Sequence, residues 1–503
     1  MKSGNVLRNT AWNLAGLALP LFVALVAIPP LIYGLGEDRF GVLAIGWVIM
    51  AYFVLSDFGI GVATKKYLSE LDGKAGQDGV GALVWTSLIV HGMLGFVGGG
   101  CFALAVPFLL RGVFAVPEPL QVEAAGAFYW LAASIPVLLL TSCLRNLLEA
   151  RQRFDLMNML RAPASAINYL VPLLVLYVSN DMSDMLAAIF VGRLLVLGAH
   201  GLCTFRVVPE LTMQFRFSLR ELRRLLGFGV WATLSSLINP IVLFADRFFV
   251  ASVFSLAAVT YYVTPYEVVT KLWILSASLL GALFPLLSVT DPRSAEMTTI
   301  VRRAFILLVV TATPAVGAIL VFGRDFLGVW IDADLARQSG TVAKWLAVGV
   351  FFNILAQIPF TVLQATGRPA TPARLQMILL PFFLVLAWWL SRWQGTVGVA
   401  MAWAVRALVE AALLQWAARR WLGASVTPQY RIRRLSQLIP VMTFLVICWL
   451  LESVWRDHGL PRLLGFVFSL SVFSVWLWRG LLVSAERAAI AGALRLRYPW
   501  GGG

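Results

Sequence analysis

The chain has 503 residues, of which 60% are hydrophobic and only 13% carry a charge. A soluble fold cannot bury so much apolar surface while exposing so few charged side chains, so the composition excludes a soluble enzyme, a secreted disulfide scaffold and a disordered chain. The net charge of +15 would suggest nucleic-acid binding in a soluble protein, but basic loops in a membrane protein follow from its topology, and no nucleic-acid partner is expected. The composition therefore predicts an all-α polytopic membrane protein.

Apolar windows of about 20 residues, the length at which a helix crosses the bilayer core, recur along the whole chain. The first window contains no small-residue cleavage site, so it is predicted to be a retained helix and not a signal peptide. In chain order the windows predict about fourteen spans, at residues 11–33, 40–64, 80–110, 124–147, 162–179, 183–206, 226–254, 257–289, 304–323, 343–365, 373–391, 394–418, 437–454 and 461–482.

The loops between these spans differ in basic residues according to the side on which they lie. Loops on the side of the N-terminus, among them 65–79, 206–224 and 419–434, contain most of the 40 Lys and Arg residues. The positive-inside rule therefore places both termini in the cytoplasm. The arginine clusters at 216–224 and 431–434 are predicted to contact anionic membrane lipids as well.

An internal repeat divides the predicted spans. Residues 147–154 (LLEARQRF) align with residues 362–369 (VLQATGRP), and Arg193 aligns with Arg406. An even number of spans separates the two copies, so both copies have the same orientation in the membrane. We therefore predict two six-helix lobes in a parallel pseudo-two-fold repeat, at 1–208 and 209–424, followed by two C-terminal helices and a cytoplasmic tail at 425–503. Such a repeat is typical of transporters with a central cavity.

The sequence contains no motif for a catalytic, metal or cofactor site. Its three histidines are scattered, its four cysteines lie in apolar stretches without a CxxC pair, and no phosphate-binding loop is present. A membrane-embedded glycosyltransferase or polymerase would need a sizeable external loop, and the largest predicted one, 324–342, is too short. A purely structural scaffold would not need charges in mid-membrane. We therefore expect neither enzymatic activity nor a cofactor.

Ionisable side chains within the spans are the best indication of function. Each costs at least about 2.5–3.5 kcal/mol at the bilayer centre, so it is expected to face a cavity or a partner. These residues are Asp57, Arg145, Arg193, Asp246, Arg247, Glu267, Lys271, Arg406 and Glu410.

The eighth span combines a charge pair with aromatic residues. Glu267 and Lys271 are four residues apart and therefore share one helix face. Pro265 removes a backbone hydrogen bond and is predicted to bend or break the helix there. The same segment contains three tyrosines, Tyr261, Tyr262 and Tyr266. A bent helix with aromatics and charges suits a cavity wall.

Two interpretations stay open for the charge pairs. Glu267 with Lys271, and Arg406 with Glu410, either line the cavity or neutralise each other and lock helices together. A cavity role is favoured for Lys271, as it is for Arg247 in the preceding span.

The remaining intramembrane charges also have two interpretations each. Arg145 lies near the cytoplasmic end of the fourth span, where it either reaches the cavity or extends to the interface. Asp57 either caps a helix break near Gly59 or has a functional role. Asp246 and Arg247 are neighbours about 100° apart on their helix, so one can face the cavity while the other meets an adjacent helix.

Short motifs along the chain resemble the bacterial polysaccharide flippases of the multidrug/oligosaccharidyl-lipid/polysaccharide exporter superfamily. The resemblance covers nearly the whole chain, although each motif alone is degenerate. The motifs are LGEDRFG at 35–41, SDFG at 56–59, ADRF at 245–248, AVTYY at 258–262, LFP at 283–285 and QATGR at 364–368.

The resemblance implies a flippase that moves undecaprenyl-pyrophosphate-linked oligosaccharide units from the cytoplasmic to the periplasmic leaflet by alternating access. It implies an inner-membrane location and a link to polysaccharide polymerase machinery. Under this reading the pyrophosphate is bound by basic cavity residues, namely Arg247, Lys271, Arg193, Arg406 and Arg145. The sugars stack on Tyr261, Tyr262 and Tyr266. An ion, if one is coupled, uses Glu267, Asp57, Asp246 or Glu410.

Two other branches of the superfamily are alternatives. Lipid II flippases also have fourteen spans but characteristically place arginines in the first two, and residues 11–33 and 40–64 contain none here. Cation-coupled multidrug exporters usually have twelve spans and an acidic cavity, whereas the balance of charges here is basic.

Overall fold

The computed structural model describes residues 22–55, 59–72, 79–114, 116–151, 153–208, 215–227, 230–368, 370–422, 439–456 and 458–481. These residues are almost entirely helical, and none of them forms a strand. The prediction of an all-α fold is confirmed.

The helices follow one another along the described residues. Their bounds are α1 Phe22–Leu35, α2 Glu37–Leu55, α3 Ile60–Asp72, α4 Val80–Phe108, α5 Gln121–Ala150, α6 Phe154–Val175, α7 Met182–Val207, α8 Leu219–Gly227, α9 Val230–Val253, α10 Leu256–Val269, α11 Trp273–Val289, α12 Ala295–Trp330, α13 Ala333–Ala365, α14 Ala370–Gln394, α15 Thr396–Leu422, α16 Ile439–Val454 and α17 Gly459–Trp476.

Among the described residues, eight helices are long and apolar enough to cross a membrane by length and composition, namely α4, α5, α7, α12, α13, α14, α15 and α17. Two shorter apolar helices, α1 and α16, accompany them. Repeated apolar helices of this length identify a multi-pass membrane protein. The total of fourteen spans stays a prediction.

The second predicted span is divided in two. Helix α2 ends at Leu55, and α3 begins at Ile60 after Gly59, whose φ is +71°. Only glycine adopts this left-handed conformation without steric cost, so Gly59 is suited to the position that precedes α3. Asp57, which the sequence suggested as a cap for this break, lies outside the described residues.

The eighth predicted span is also interrupted, but not at the proline. Helix α10 continues through Pro265 to Val269, and a 3-10 turn at Thr270–Leu272 separates it from α11. The helix is therefore not broken at Pro265, and a bend there stays a prediction. The hydroxyl of Thr270 donates a hydrogen bond to the carbonyl of Tyr266 at 2.7 Å. Because side-chain bonds of this kind compete with the helical backbone bond, they favour a local change of helix type.

The chain forms two compact units, Met1–Val263 and Thr264–Gly503. In the first unit α5 is central and packs against α2, α3, α4 and α7. In the second unit α13 is central and packs against α11, α12 and α15, while α16 packs on α12 and α17. The predicted lobe boundaries were inferred from a repeat in the sequence. The packing of helices does not test such a repeat, so these boundaries stay a prediction.

Candidate functional site

Within the first unit, the N-terminus of α2 is bound to the N-terminus of α10. The carboxylate of Asp38 accepts a hydrogen bond from the backbone N–H of Ala257 at 3.1 Å. The carbonyl of Glu37 accepts one from the hydroxyl of Thr260 at 2.6 Å, and the Glu37 carboxylate accepts one from the hydroxyl of Tyr261. We call this set of bonds the α2–α10 contact.

A glycine makes the α2–α10 contact possible. A Cβ atom added to Gly41 would collide with the backbone carbonyl oxygen of Leu256, so only glycine fits there. Glu37, Asp38 and Gly41 belong to the motif LGEDRFG, and Thr260 and Tyr261 belong to AVTYY. Both motifs served only to indicate the family resemblance, and nothing in the sequence predicted that they are in contact.

Further bonds fix the same end of the first unit. The guanidinium of Arg39 donates to the carboxylate of Glu123 at 3.0 Å, and the backbone N–H of Met182 donates to the same carboxylate at 2.9 Å. Since these residues begin α2, α5 and α7, one carboxylate joins three helices. The N-terminus of α2, which forms one side of the α2–α10 contact, is therefore held in place by α5 and α7.

Asp246, on α9, is a buried carboxylate that is only partly satisfied. It is 1% exposed, and its Oδ2 accepts a hydrogen bond from the hydroxyl of Tyr262 at 2.9 Å. Its other oxygen, Oδ1, has no hydrogen-bond partner among the described residues. A buried carboxylate with an open oxygen can bind a proton or a cation. The neighbouring Arg247 is also buried, with its guanidinium 5.1 Å from the centroid of the Phe244 ring.

Arg193, on α7, is held by an uncharged side chain. Its Nη2 donates to the amide oxygen of Asn168 on α6 at 2.7 Å. Its Nε is shielded and has no hydrogen-bond partner among the described residues. Because an amide does not neutralise a guanidinium, Arg193 retains its full positive charge within the span.

Arg406, at the matching place of the predicted repeat, has a carboxylate beside it. Its Nη1 lies 3.6 Å from Glu410, and the two side chains are 7% and 4% exposed. Gln376 on α14 also donates to Glu410, at 3.1 Å. Neutralisation within α15, the second interpretation of this pair, therefore has a geometric basis.

The other predicted residues range from half-buried to buried. Lys271 donates to Glu267 at 2.8 Å across the 3-10 turn, and both side chains are half-buried. Arg145 donates to the hydroxyl of Ser142 on its own helix at 3.2 Å. Tyr266 is buried against the rings of Trp273 and Trp403. In the part of the chain that the structure describes, no group of His, Cys, Asp and Glu could hold a metal ion.

Sequence reasoning missed two ion pairs in the second unit, a buried one and one with an exposed carboxylate. Lys344 on α13 donates to Glu452 on α16, and Arg462 on α17 donates to Asp325 on α12. Lys344, Glu452 and Arg462 are ionisable residues within the predicted spans, and this property could have identified them as candidates. Their partners are more than 100 residues away in sequence, so no local spacing connects them.

Comparison with known proteins places this arrangement in a family. The family model described as polysaccharide biosynthesis protein matches residues 6–290, more than half of the chain. The chain belongs to the polysaccharide biosynthesis protein family. The match includes Gly41, Arg193, Asp246 and Arg247. A putative O-antigen transporter of Shigella flexneri is 27% identical over 421 residues, which are 82% of this chain and 97% of that protein.

Solved structures of two other proteins share the fold of this chain. The lipid II flippase MurJ, in an inward closed conformation, gives a TM-score of 0.74 at 12% identity, covering 94% of this chain and 99% of that one. An inward-facing multidrug resistance MATE family transporter of the MOP superfamily gives 0.68 at 16% identity, covering 82% and 98%. At these identities the likeness concerns the fold alone.

Proposed function

We propose that this protein is a flippase for undecaprenyl-pyrophosphate-linked oligosaccharide units. It moves them from the cytoplasmic to the periplasmic leaflet of the bacterial inner membrane by alternating access, with both termini cytoplasmic. The name of its O-antigen transporter relative and its family membership support a cargo of this class. Its product would supply a polysaccharide polymerase, which is the partner machinery that we expect.

The observation that carries the proposal is the charge retained by Arg193. A pyrophosphate offers several charged acceptor oxygens, and a guanidinium binds such groups by short charge-assisted hydrogen bonds. Asn168 orients Arg193 through one amino group without neutralising it. Arg247, Lys271 and Arg145 are the further basic groups of the proposed path. Arg406 belongs to it only in a state in which its pair with Glu410 opens.

The aromatic and acidic residues have supporting roles in this proposal. Tyr261 is partly exposed and is the leading candidate for an apolar ring face of the kind on which sugar rings pack. Tyr262 and Tyr266 are buried here, so they would reach a sugar only in another conformation of the transport cycle. Asp246, with its open oxygen, is the leading candidate for ion coupling. Glu267, Glu410 and Asp57 are the alternatives for that role.

The membrane potential can supply energy without nucleotide hydrolysis. Each charge that crosses 100 mV gains about 2.3 kcal/mol, so about two negative charges moving outward gain about 4–5 kcal/mol in an inside-negative cell. An anionic cargo is therefore driven in the proposed direction.

Alternating access requires a contact that closes one end and opens in each cycle. We assign this role to the α2–α10 contact. The N-termini of α2 and α10, which form it, both lie on the predicted periplasmic side of the membrane. Gly41→Ala should prevent its formation because of the collision with Leu256. Single cysteines introduced near that end of α2 or α10, in a protein whose four native cysteines are replaced, should then react faster with a membrane-impermeant thiol reagent.

Gly100→Ala is the matched control for Gly41→Ala, since a Cβ atom there meets nothing within 4 Å. Equal labelling of the Gly41→Ala variant and the parent protein would contradict the gating role.

The decisive experiment is mass spectrometry of polyprenyl-pyrophosphate lipids after deletion of the gene, together with detection of surface polysaccharide. We expect one lipid-linked oligosaccharide to accumulate and one surface glycan to disappear. Accumulation of lipid II instead would assign the peptidoglycan precursor as cargo. An unchanged lipid pool, in a strain without a redundant flippase, would favour cation-coupled drug export.

A further inference from the structure

The short helix α8, between α7 and α9, has one face bound to the protein and one face exposed. Leu225 is buried in the core cluster formed with α3, α4 and α5, and Leu222 packs against the same cluster. Glu221 pairs with Arg224 at 3.6 Å, and the Arg224 guanidinium lies 3.9 Å from the centroid of the Tyr67 ring. The inner face of α8 is therefore fixed.

The outer face and the residues that lead into it combine apolar and basic side chains. Phe215, Phe217, Leu219 and Leu226 are between 45% and 69% exposed. Arg216, Arg220 and Arg223 are exposed beside them. The segment 215–227 contains a single acid, Glu221, which faces the protein. The exposed surface is consequently both apolar and positively charged.

The position of this segment along α4 indicates its depth. The backbone N–H of Ser218 donates to the hydroxyl of Thr86 at 3.0 Å, and the ring of Phe215 packs edge-on against Trp85, 5.0 Å between centroids. Thr86 lies six residues into α4, which starts at Val80, and therefore about 9 Å along the helix axis. Because the predicted third span begins at residue 80, the exposed phenylalanines and leucines lie at the level of lipid head groups and upper acyl chains.

We propose that segment 215–227 is a binding site for anionic phospholipid head groups at the cytoplasmic surface. Phe215, Phe217, Leu219 and Leu226 enter the boundary between head groups and acyl chains. Arg216, Arg220 and Arg223 bind the phosphates around them. Helices with an apolar and basic exposed surface bind membranes in this way. The site rests on the predicted orientation but not on the identity of the transported cargo.

Hydrogen exchange of the full-length protein in nanodiscs tests this site directly. We compare nanodiscs of phosphatidylcholine alone with an equimolar mixture of phosphatidylcholine and phosphatidylglycerol, and follow the amides of 215–227. Exchange should be several-fold slower with phosphatidylglycerol, and high salt should reduce the difference because it screens the arginine–phosphate attraction. Purified nanodiscs contain no soluble partner, so the protection can come only from lipid.

The triple variant R216Q/R220Q/R223Q should exchange equally fast in both kinds of nanodisc. The matched control is R161Q/R303Q/R419Q, which removes three exposed arginines from other loops on the same predicted side. It should keep the lipid-dependent protection of 215–227. Equal exchange of the parent protein in both lipids, or protection that survives in R216Q/R220Q/R223Q, would overturn the proposal.

Discussion

The two arginines that the sequence repeat aligns have opposite electrostatic surroundings. Arg193 in the first unit is bound by the neutral amide of Asn168 at 2.7 Å, whereas Arg406 in the second unit lies 3.6 Å from the carboxylate of Glu410. A guanidinium beside an amide keeps its net charge, while one beside a carboxylate forms a pair that is close to neutral. Equivalent positions in a duplicated sequence can therefore differ in function: Arg193 is suited to bind an anion, and Arg406 to join helices.

Removal of the retained charge should have the largest effect. Arg193→Gln deletes a charge-assisted donor, so we expect transport to fall about 10- to 100-fold. Arg193→Lys should retain part of the activity. The measurement is surface glycan in a deletion strain that expresses each variant at equal level. Full activity of Arg193→Gln would remove Arg193 from the substrate path.

Asn168→Asp would make the first unit resemble the second. The new carboxylate would neutralise Arg193 at nearly constant shape, so transport should fall by up to about tenfold while the thermal stability is maintained or raised. Leu170→Ala, two residues further along α6 at an exposed apolar position, is the control and should remain active. Unchanged transport in Asn168→Asp would mean that the charge of Arg193 does not act on the cargo.

The next test removes the charges of the Arg406–Glu410 pair in the second unit. Arg406→Ala leaves Glu410 buried without its cation and should lower the unfolding free energy by about 3 kcal/mol. The double variant with Glu410→Ala should recover part of that loss if the pair is structural. Thermal unfolding in detergent measures the stabilities, and complementation measures transport. A stable double variant without transport would instead place Arg406 on the substrate path.

The smallest effect on stability is expected for an exposed Arg–Asp pair, which serves as a reference for the buried pair. A hydrogen bond from Arg153 holds the pKa of the Asp155 carboxyl at about 2, below its usual value. The pair therefore persists at neutral pH and is lost only as the pH falls toward 2. Because water screens it, Asp155→Asn should leave the melting temperature unchanged within error between pH 6 and pH 8. A clear drop would show that exposed pairs also matter here.

Hydropathy alone predicted much of the helical layout, since the predicted windows that fall on described residues lie largely on helices. It missed the 3-10 turn at Thr270–Leu272 because a side-chain hydrogen bond, and not the proline, accompanies that turn. Spacing found Glu267 with Lys271 and Arg406 with Glu410, because these pairs lie within one helix. It could not find Asn168 opposite Arg193, because the rotation of α6 against α7 depends on packing.

The buried pair of Lys344 and Glu452 has a consequence for biogenesis. Lys344 is made 108 residues before Glu452. During synthesis α13 therefore enters the bilayer with an ammonium group whose later partner does not yet exist. A nascent chain in this state is a natural substrate for membrane proteases that recognise unassembled helices. Chains that end before residue 439 should have shorter half-lives in a pulse-chase experiment than full-length chains, and Lys344→Met should lengthen the half-life of the truncated form.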